Sequence, residues 1–122
     1  MRYVLMTYVG EQGVADWDRM TSEQRQAYVD AHVAWFRKHG PRIAGGEEMG
    51  SPRAARTIWR AGGKVSVKDG PFVESKELLG GFVIVDVEDQ AEAEQMAREW
   101  PSLGTDGNFV EVWPVGSSQS HV

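Results

Sequence analysis

Leu79-Gly80-Gly81-Phe82-Val83-Ile84-Val85-Asp86-Val87 is the stretch on which the fold turns. Its β-branched and aromatic content reads as a strand over 79–87. Side chains alternate between the two faces of a strand, so Phe82 and Ile84 stand opposite Val83 and Val85. Both faces are apolar, which places the strand inside a sheet with something covering each side. Residues 2–9 repeat the pattern, with Tyr3, Leu5 and Thr7 on one face and Val4, Met6 and Tyr8 on the other. A final strand over 109–115 does the same, with Phe109 and Trp113 against Val110 and Val112.

Helical signals lie between these strands. Thr21-Ser22-Glu23-Gln24 fits a capping box, with Thr21 at the N-cap and Gln24 at the third helical position. The helix it opens runs to His39 and is stopped by Gly40-Pro41. Tyr28, Ala31, His32, Trp35, Phe36 and His39 recur at three- and four-residue spacing and share one face. Asp89 caps a second helix with Glu92 three residues on. Ala93, Met96, Ala97 and Trp100 form its apolar stripe and Pro101 ends it. Residues 54–60 and 64–68 flank Ala61-Gly62-Gly63 and predict a β-hairpin, because glycine reaches positive φ without strain. Residues 10–20 read as a loop, and residues 42–50 as an extended, glycine-rich segment without regular structure.

The order strand, helix, hairpin, strand, helix, strand is α+β, and its frame predicts a ferredoxin-like subunit with a β-hairpin insertion. Two helices cover only one face of such a sheet. The bare apolar face predicts a homodimer with sheets packed face to face, a dimeric α+β barrel. One domain is expected over residues 1–116, with 117–122 a frayed tail.

Composition narrows the function classes. The 122 residues include no cysteine, which excludes disulfides, thiolate zinc sites, iron–sulfur clusters and cysteine nucleophiles. Thirteen basic against eighteen acidic residues give a net charge of −5, the wrong sign for a duplex nucleic-acid binder. The five tryptophans lack the aromatic–glycine pattern of an RNA-recognition sheet and read as core and interface residues. The apolar opening is broken by Thr7 and followed by Gly10 and Glu11 with no cleavage site, so it reads as a strand rather than a signal peptide. A cytoplasmic protein without a membrane span is expected. His32 and His39 lie about 10 Å apart along their helix, too far to share one ion, and no metal or other cofactor is expected.

Asp69-Gly70-Pro71-Phe72-Val73-Glu74-Ser75-Lys76-Glu77-Leu78-Leu79-Gly80-Gly81 resembles the signature of the YCII-related proteins, in the branch named for its DGPF motif. The opening strand, Gly45-Gly46-Glu47, Thr57-Ile58 and Val110-Glu111-Val112-Trp113-Pro114 fall in the family's order, so the resemblance spans nearly the whole chain. It implies a dimeric α+β barrel, and kinship with small cofactor-independent enzymes of the same superfamily. It also implies an association with extracytoplasmic-function sigma factors. A histidine–aspartate site is implied as well. His32 stands at the histidine's position, but Trp100 stands where the aspartate is expected, just before Pro101. Trp113 likewise replaces the branch's usual arginine.

These residues suggest acid/base chemistry on a small oxygenated or aromatic molecule, as in a lyase or isomerase step. His32 is the candidate acid/base, since imidazole titrates near neutral pH; the alternative is a satisfied core histidine beside Tyr28 and Trp35. Asp69 is a turn-forming aspartate or, in the catalytic reading, the group that orients His32. Glu74 and Lys76 share parity in an extended chain, so both can face one cleft and polarise a small oxygenated ligand, with Glu74 an alternative to Asp69 for orienting His32 and Lys76 suited to developing negative charge; an ion-pair network locking the loop is the alternative. Pro71, Phe72 and Glu77 are expected to line the substrate site. Gly80-Gly81 is not a phosphate loop, because it lacks the following Lys-Ser/Thr and precedes a strand; it reads as a bulge or a close backbone approach. The basic hairpin residues Arg53, Arg56, Arg60, Lys64 and Lys68 are either solvated or a patch for an acidic partner. A ligand-binding or regulatory dimer tied to sigma-factor signalling is the alternative to an enzyme, and a dimer with no pocket function is the third reading.

Overall fold

The computed structural model describes residues 1–71 and 77–116. Strand β1 (Arg2–Val9) is followed by helix α1 (Glu11–Arg19), helix α2 (Ser22–His39) and strand β2 (Ile43–Glu48). Strands β3 (Arg56–Ala61) and β4 (Lys64–Asp69) come next, then β5 (Leu78–Asp86), helix α3 (Gln90–Arg98) and β6 (Phe109–Pro114). β2, β5, β1 and β6 form, in that order, one antiparallel sheet. Numbered within the sheet, the order is second, third, first, fourth, which is the ferredoxin-like arrangement. β3 and β4 pair only with each other, as an inserted hairpin whose turn glycines, Gly62 and Gly63, have φ of 59° and 74°. Both values lie in the left-handed region that a two-residue hairpin turn of this type demands.

The core lies between one sheet face and the helices. Tyr3, Leu5, Val83 and Val85 from the sheet meet Trp35 of α2 and Ala93, Met96 and Ala97 of α3. The α2 capping box is complete: Gln24 donates its backbone N–H to Thr21 Oγ1, and the Thr21 N–H donates to Gln24 Oε1. Asp89 accepts from the Glu92 N–H at the start of α3. The opposite sheet face carries Val4, Met6, Phe82 and Ile84, half-buried, and Trp113, which is 56% exposed. No helix among the described residues is long and apolar enough to cross a membrane.

Two expectations are corrected. Residues 10–20 are not a loop but contain α1. Its N-cap is Gly10, which offers no side chain, and Gly13 sits inside it. That glycine has a packing reason: a Cβ there would lie 2.6 Å from Asn108 Oδ1 and 2.8 Å from Val9 Cγ1, so only glycine lets α1 close on the sheet end. Residues 42–50 contain a regular edge strand, β2, positioned by β5 rather than by side chains of its own.

An ion-pair cluster ties α2 to the end of α3. Lys38 Nζ lies 2.6 Å and His39 Nε2 3.1 Å from Glu99 Oε1. Hydrogen bonding from Lys38 above all, and then from Gln95, holds the Glu99 carboxyl at about 2, against the partial burial that raises it. A carboxyl lowered by folding stabilises the native state above its ordinary value, and that contribution fades as pH falls toward the lowered one. Wild type should therefore lose stability more steeply than Glu99→Gln between about pH 4.5 and 2. Urea unfolding across that window measures it, and identical slopes would remove Glu99 from the acid response.

Candidate functional site

A cleft of about 810 Å³ opens at the end of the sheet where β1 finishes and β5 and β6 begin. It is lined by Tyr8, Leu79 and Phe109 of the sheet, most of the 49–55 segment, and Pro71 and Glu77 of the motif. Tyr8 and Phe109 are cross-strand partners with stacked rings, their centroids 4.6 Å apart and planes 14° from parallel. Gly80-Gly81 shapes this wall. The β1–β5 register passes from Thr7 opposite Gly81 to Tyr8 opposite Leu79, skipping Gly80, so the strand bulges there. The bulge sets Leu79 rather than a glycine beside Tyr8. Gly81 allows the close approach: a Cβ there would lie 2.7 Å from the Glu47 carbonyl oxygen. Both readings of the glycine pair hold.

The Tyr8 pKa is raised, first by burial and then by the neighbouring Glu111 carboxylate. Trp113 Nε1 donates to Glu111 Oε1 at 3.3 Å. Neither Tyr8 nor Glu111 was marked by its residue type; the signal was the parity of 2–9 and 109–115, which puts both on the helix-free face.

His32 is half-buried on α2 with both ring nitrogens engaged. Nδ1 lies 2.8 Å from the Tyr28 carbonyl and Nε2 lies 2.9 Å from Ser102 Oγ. A carbonyl only accepts, so Nδ1 carries the hydrogen; in the neutral imidazole Nε2 then accepts from Ser102. Ser102 Oγ is in turn 2.7 Å from the Tyr28 hydroxyl. The result is a chain from Tyr28 through Ser102 to His32 with the imidazole orientation fixed, a geometry able to pass a proton along it. The Trp100 ring stands edge-on to the imidazole with centroids 4.8 Å apart. Ser102, two residues beyond Trp100, is thus the hydrogen-bond partner of His32 Nε2.

His32 is not among the residues lining the cleft: it packs with Tyr28, Ser102 and Trp100 on the helix side of the sheet, whereas Tyr8 and Phe109 stand on the helix-free face. Asn108, next to Phe109, donates its Nδ2 to the Ser102 carbonyl at 2.9 Å and accepts from the Gly10 N–H at 2.9 Å. Asp69 does not orient His32 within a protomer. It faces its cross-strand partner Arg56, with 3.1 Å between Arg56 Nε and Asp69 Oδ1, and its side chain is 89% exposed. The reason is register: Asp69 ends β4, and β4 pairs only with β3. Pro71 and Glu77 line the cleft. Phe72, Glu74 and Lys76 lie outside the described residues. Among the described residues no cluster of three or more His, Asp or Glu side chains is placed to hold a metal ion.

Residues 1–115 match the YCII-related domain. An uncharacterized protein of Rhizobium meliloti (strain 1021), R00369, is 27% identical over 115 residues, covering 94% of this chain and 92% of that protein. Among solved structures, the chain is similar to 5-chloro-2-hydroxyhydroquinone dehydrochlorinase from Burkholderia phenoliruptrix AC1100 in complex with 2,5-dihydroxybenzoquinone. The TM-score is 0.51 at 17% identity, covering 95% of this chain and 96% of that one. At that identity the likeness shows the shared fold.

Proposed function

The chain belongs to the YCII-related domain family, and from that footing we propose that it is a small cofactor-independent enzyme performing acid/base chemistry on a small oxygenated or aromatic molecule. The observation that carries this reading is the cleft: concave, apolar, walled by the stacked Tyr8 and Phe109 rings and flanked by Pro71 and Glu77 of the motif. Pockets of this kind, with few polar groups, are the usual form of small-molecule sites. A fold shared with an enzyme whose bound compound is a dihydroxybenzoquinone agrees with it. His32 takes the acid/base role, with its charge change shared along Ser102 and Tyr28. Pro71, Phe72 and Glu77 contact the substrate, Glu74 orients His32, and Lys76 stabilises developing negative charge. Asp69, paired with Arg56, fixes the hairpin neck. The helix-free face packs on that of a second copy, completing a homodimeric barrel with the cleft at its rim.

The test is proton NMR in deuterated buffer with a panel of polyhydroxylated aromatics and small enols. At least one compound should exchange or convert, and His32→Gln should slow it by about tenfold or more. Compounds that bind the cleft with no conversion of any of them would overturn the enzyme reading.

A further inference from the structure

We propose that the β3–β4 hairpin is an arm that grips a second copy of this chain, laying its apolar face against the acid-edged, helix-free sheet face of the partner while the partner's arm does the same in return. The inference rests on reading the helix-free face as a homodimer interface and adds what the hairpin contributes to it.

The hairpin lacks a surface to lie on. β3 and β4 pair only with each other, and neither supplies a residue to the core. A lone two-stranded hairpin is marginally stable in water. Directly opposed residues share a face, so Ile58 and Val67 stand beside Val65 and its partner Arg60. Ile58, Val65 and Val67 are between 57% and 68% exposed, whereas Thr57, Trp59 and Ser66 on the reverse face are half-buried. Three adjoining β-branched side chains in water mark an association surface.

Charge identifies what covers it. Residues 51–70 carry five basic side chains and one acidic; the rest of the chain carries eight basic and seventeen acidic. So acidic a body repels nucleic acid and anionic lipid, and attracts the basic arm of another copy. The helix-free face has the matching pattern. Register sets Glu47, Phe82, Met6 and Glu111 in one row across β2, β5, β1 and β6, with carboxylates at both ends and apolar side chains between. The arm's aliphatic residues meet the centre of that row, and Arg60 meets the partner's acidic edge at the residue equivalent to Glu47. With strands of six residues the arm reaches about 20 Å, enough to cross to a second copy. A two-fold axis makes the two contacts identical and closes the assembly at two. Ala54, Ala55 and Pro71 at the base of the arm line the cleft, so an arm held by the partner also fixes one side of it.

The test is isotope-filtered NMR on an equal mixture of labelled and unlabelled full chain, which registers only contacts between copies and needs no variant. The methyl groups of Ile58, Val65 and Val67 should show contacts to Met6 or Phe82 of the other copy. Sedimentation equilibrium measures the strength. Ile58→Asp, at a position exposed in the protomer, should weaken the dimer by at least about tenfold. Arg60→Glu and Glu47→Lys should each weaken it about fivefold, and the two together should recover most of the loss. Contacts between copies that come from the sheet faces alone, or additive losses in the double variant, would overturn the arm and leave the homodimer standing. A monomer at submillimolar concentration would overturn both. Hairpin methyl signals that broaden on adding phosphatidylglycerol vesicles, with no contact between copies, would assign the arm to a lipid surface and overturn the proposal.

Discussion

Trp35→Ala is expected to lower the free energy of unfolding by about 3–5 kcal/mol. Trp35 is buried where α2, α3 and the sheet meet. Its ring stands edge-on to Trp100 at 4.9 Å and 89°, and edge-on to Phe36 at 5.1 Å. Its Nε1–H donates to the Met96 carbonyl at 3.0 Å. Truncation leaves a cavity, removes the aromatic contacts and takes one hydrogen bond from the Met96 carbonyl, which keeps that from the Glu99 N–H, and each loss adds to the others. Trp35→Phe keeps most of the packing and should cost about 1–2 kcal/mol, chiefly the hydrogen bond. Denaturant unfolding of the two variants measures the difference. A Trp35→Ala loss under about 1 kcal/mol would mean that this junction does not hold the helices to the sheet.

The paired glycines of the motif should separate sharply. Alanine normally suits a strand better than glycine by about 0.5–1 kcal/mol, so the sign is decided by what the added methyl meets. At Gly81 it meets backbone: the Glu47 carbonyl oxygen at 2.7 Å and Glu48 Cα at 3.3 Å. Backbone cannot rotate away, so β2 must move off β5, and Gly81→Ala should cost about 2–3 kcal/mol. At Gly80 the nearest atoms are Thr7 Oγ1 at 3.4 Å and the Thr7 carbonyl at 3.5 Å, ordinary contacts. Gly80→Ala should therefore stay within about 1 kcal/mol of wild type. Thermal melting of both variants gives the contrast, and equal losses would show that the edge-strand contact is not what requires Gly81.

The parts legible in the sequence were those written in side chains. The two-sided apolar strands, the Thr21–Gln24 box, the Asp89 cap and the Gly62-Gly63 turn each carry their signal in residue type, and each stands in the structure. Helix α1 was hidden because a glycine caps it and another sits within it; both are demanded by the packed neighbours Gly107, Asn108 and Val9, which no local pattern reveals. Strand β2 was hidden because Gly45-Gly46 present no alternating side chains, and its register comes from β5.

The site divides in the same way. Pro71 and Glu77, which the motif marks, line the cleft. Tyr8 was placed on the correct face by parity, but its cleft-lining role depends on the bulge, which changes which residue lies opposite it. Ser102 follows a proline at a helix end, where serine ordinarily serves a turn. The signal that could have found it was the absent aspartate before Pro101, which leaves His32 in need of another partner nearby. Asp69 was the natural substitute by charge, yet register directs it to Arg56.

The most direct measurement is amide NMR of the full chain during titration with simple phenols. Perturbations should concentrate at residues 8–9, 49–55, 77–79 and 109–111, the strand ends and segments that surround the stacked rings. Perturbations centred on the exposed hairpin or the outer surface of α2, or none with any phenol at millimolar concentration, would contradict the assignment of the cleft as the binding site.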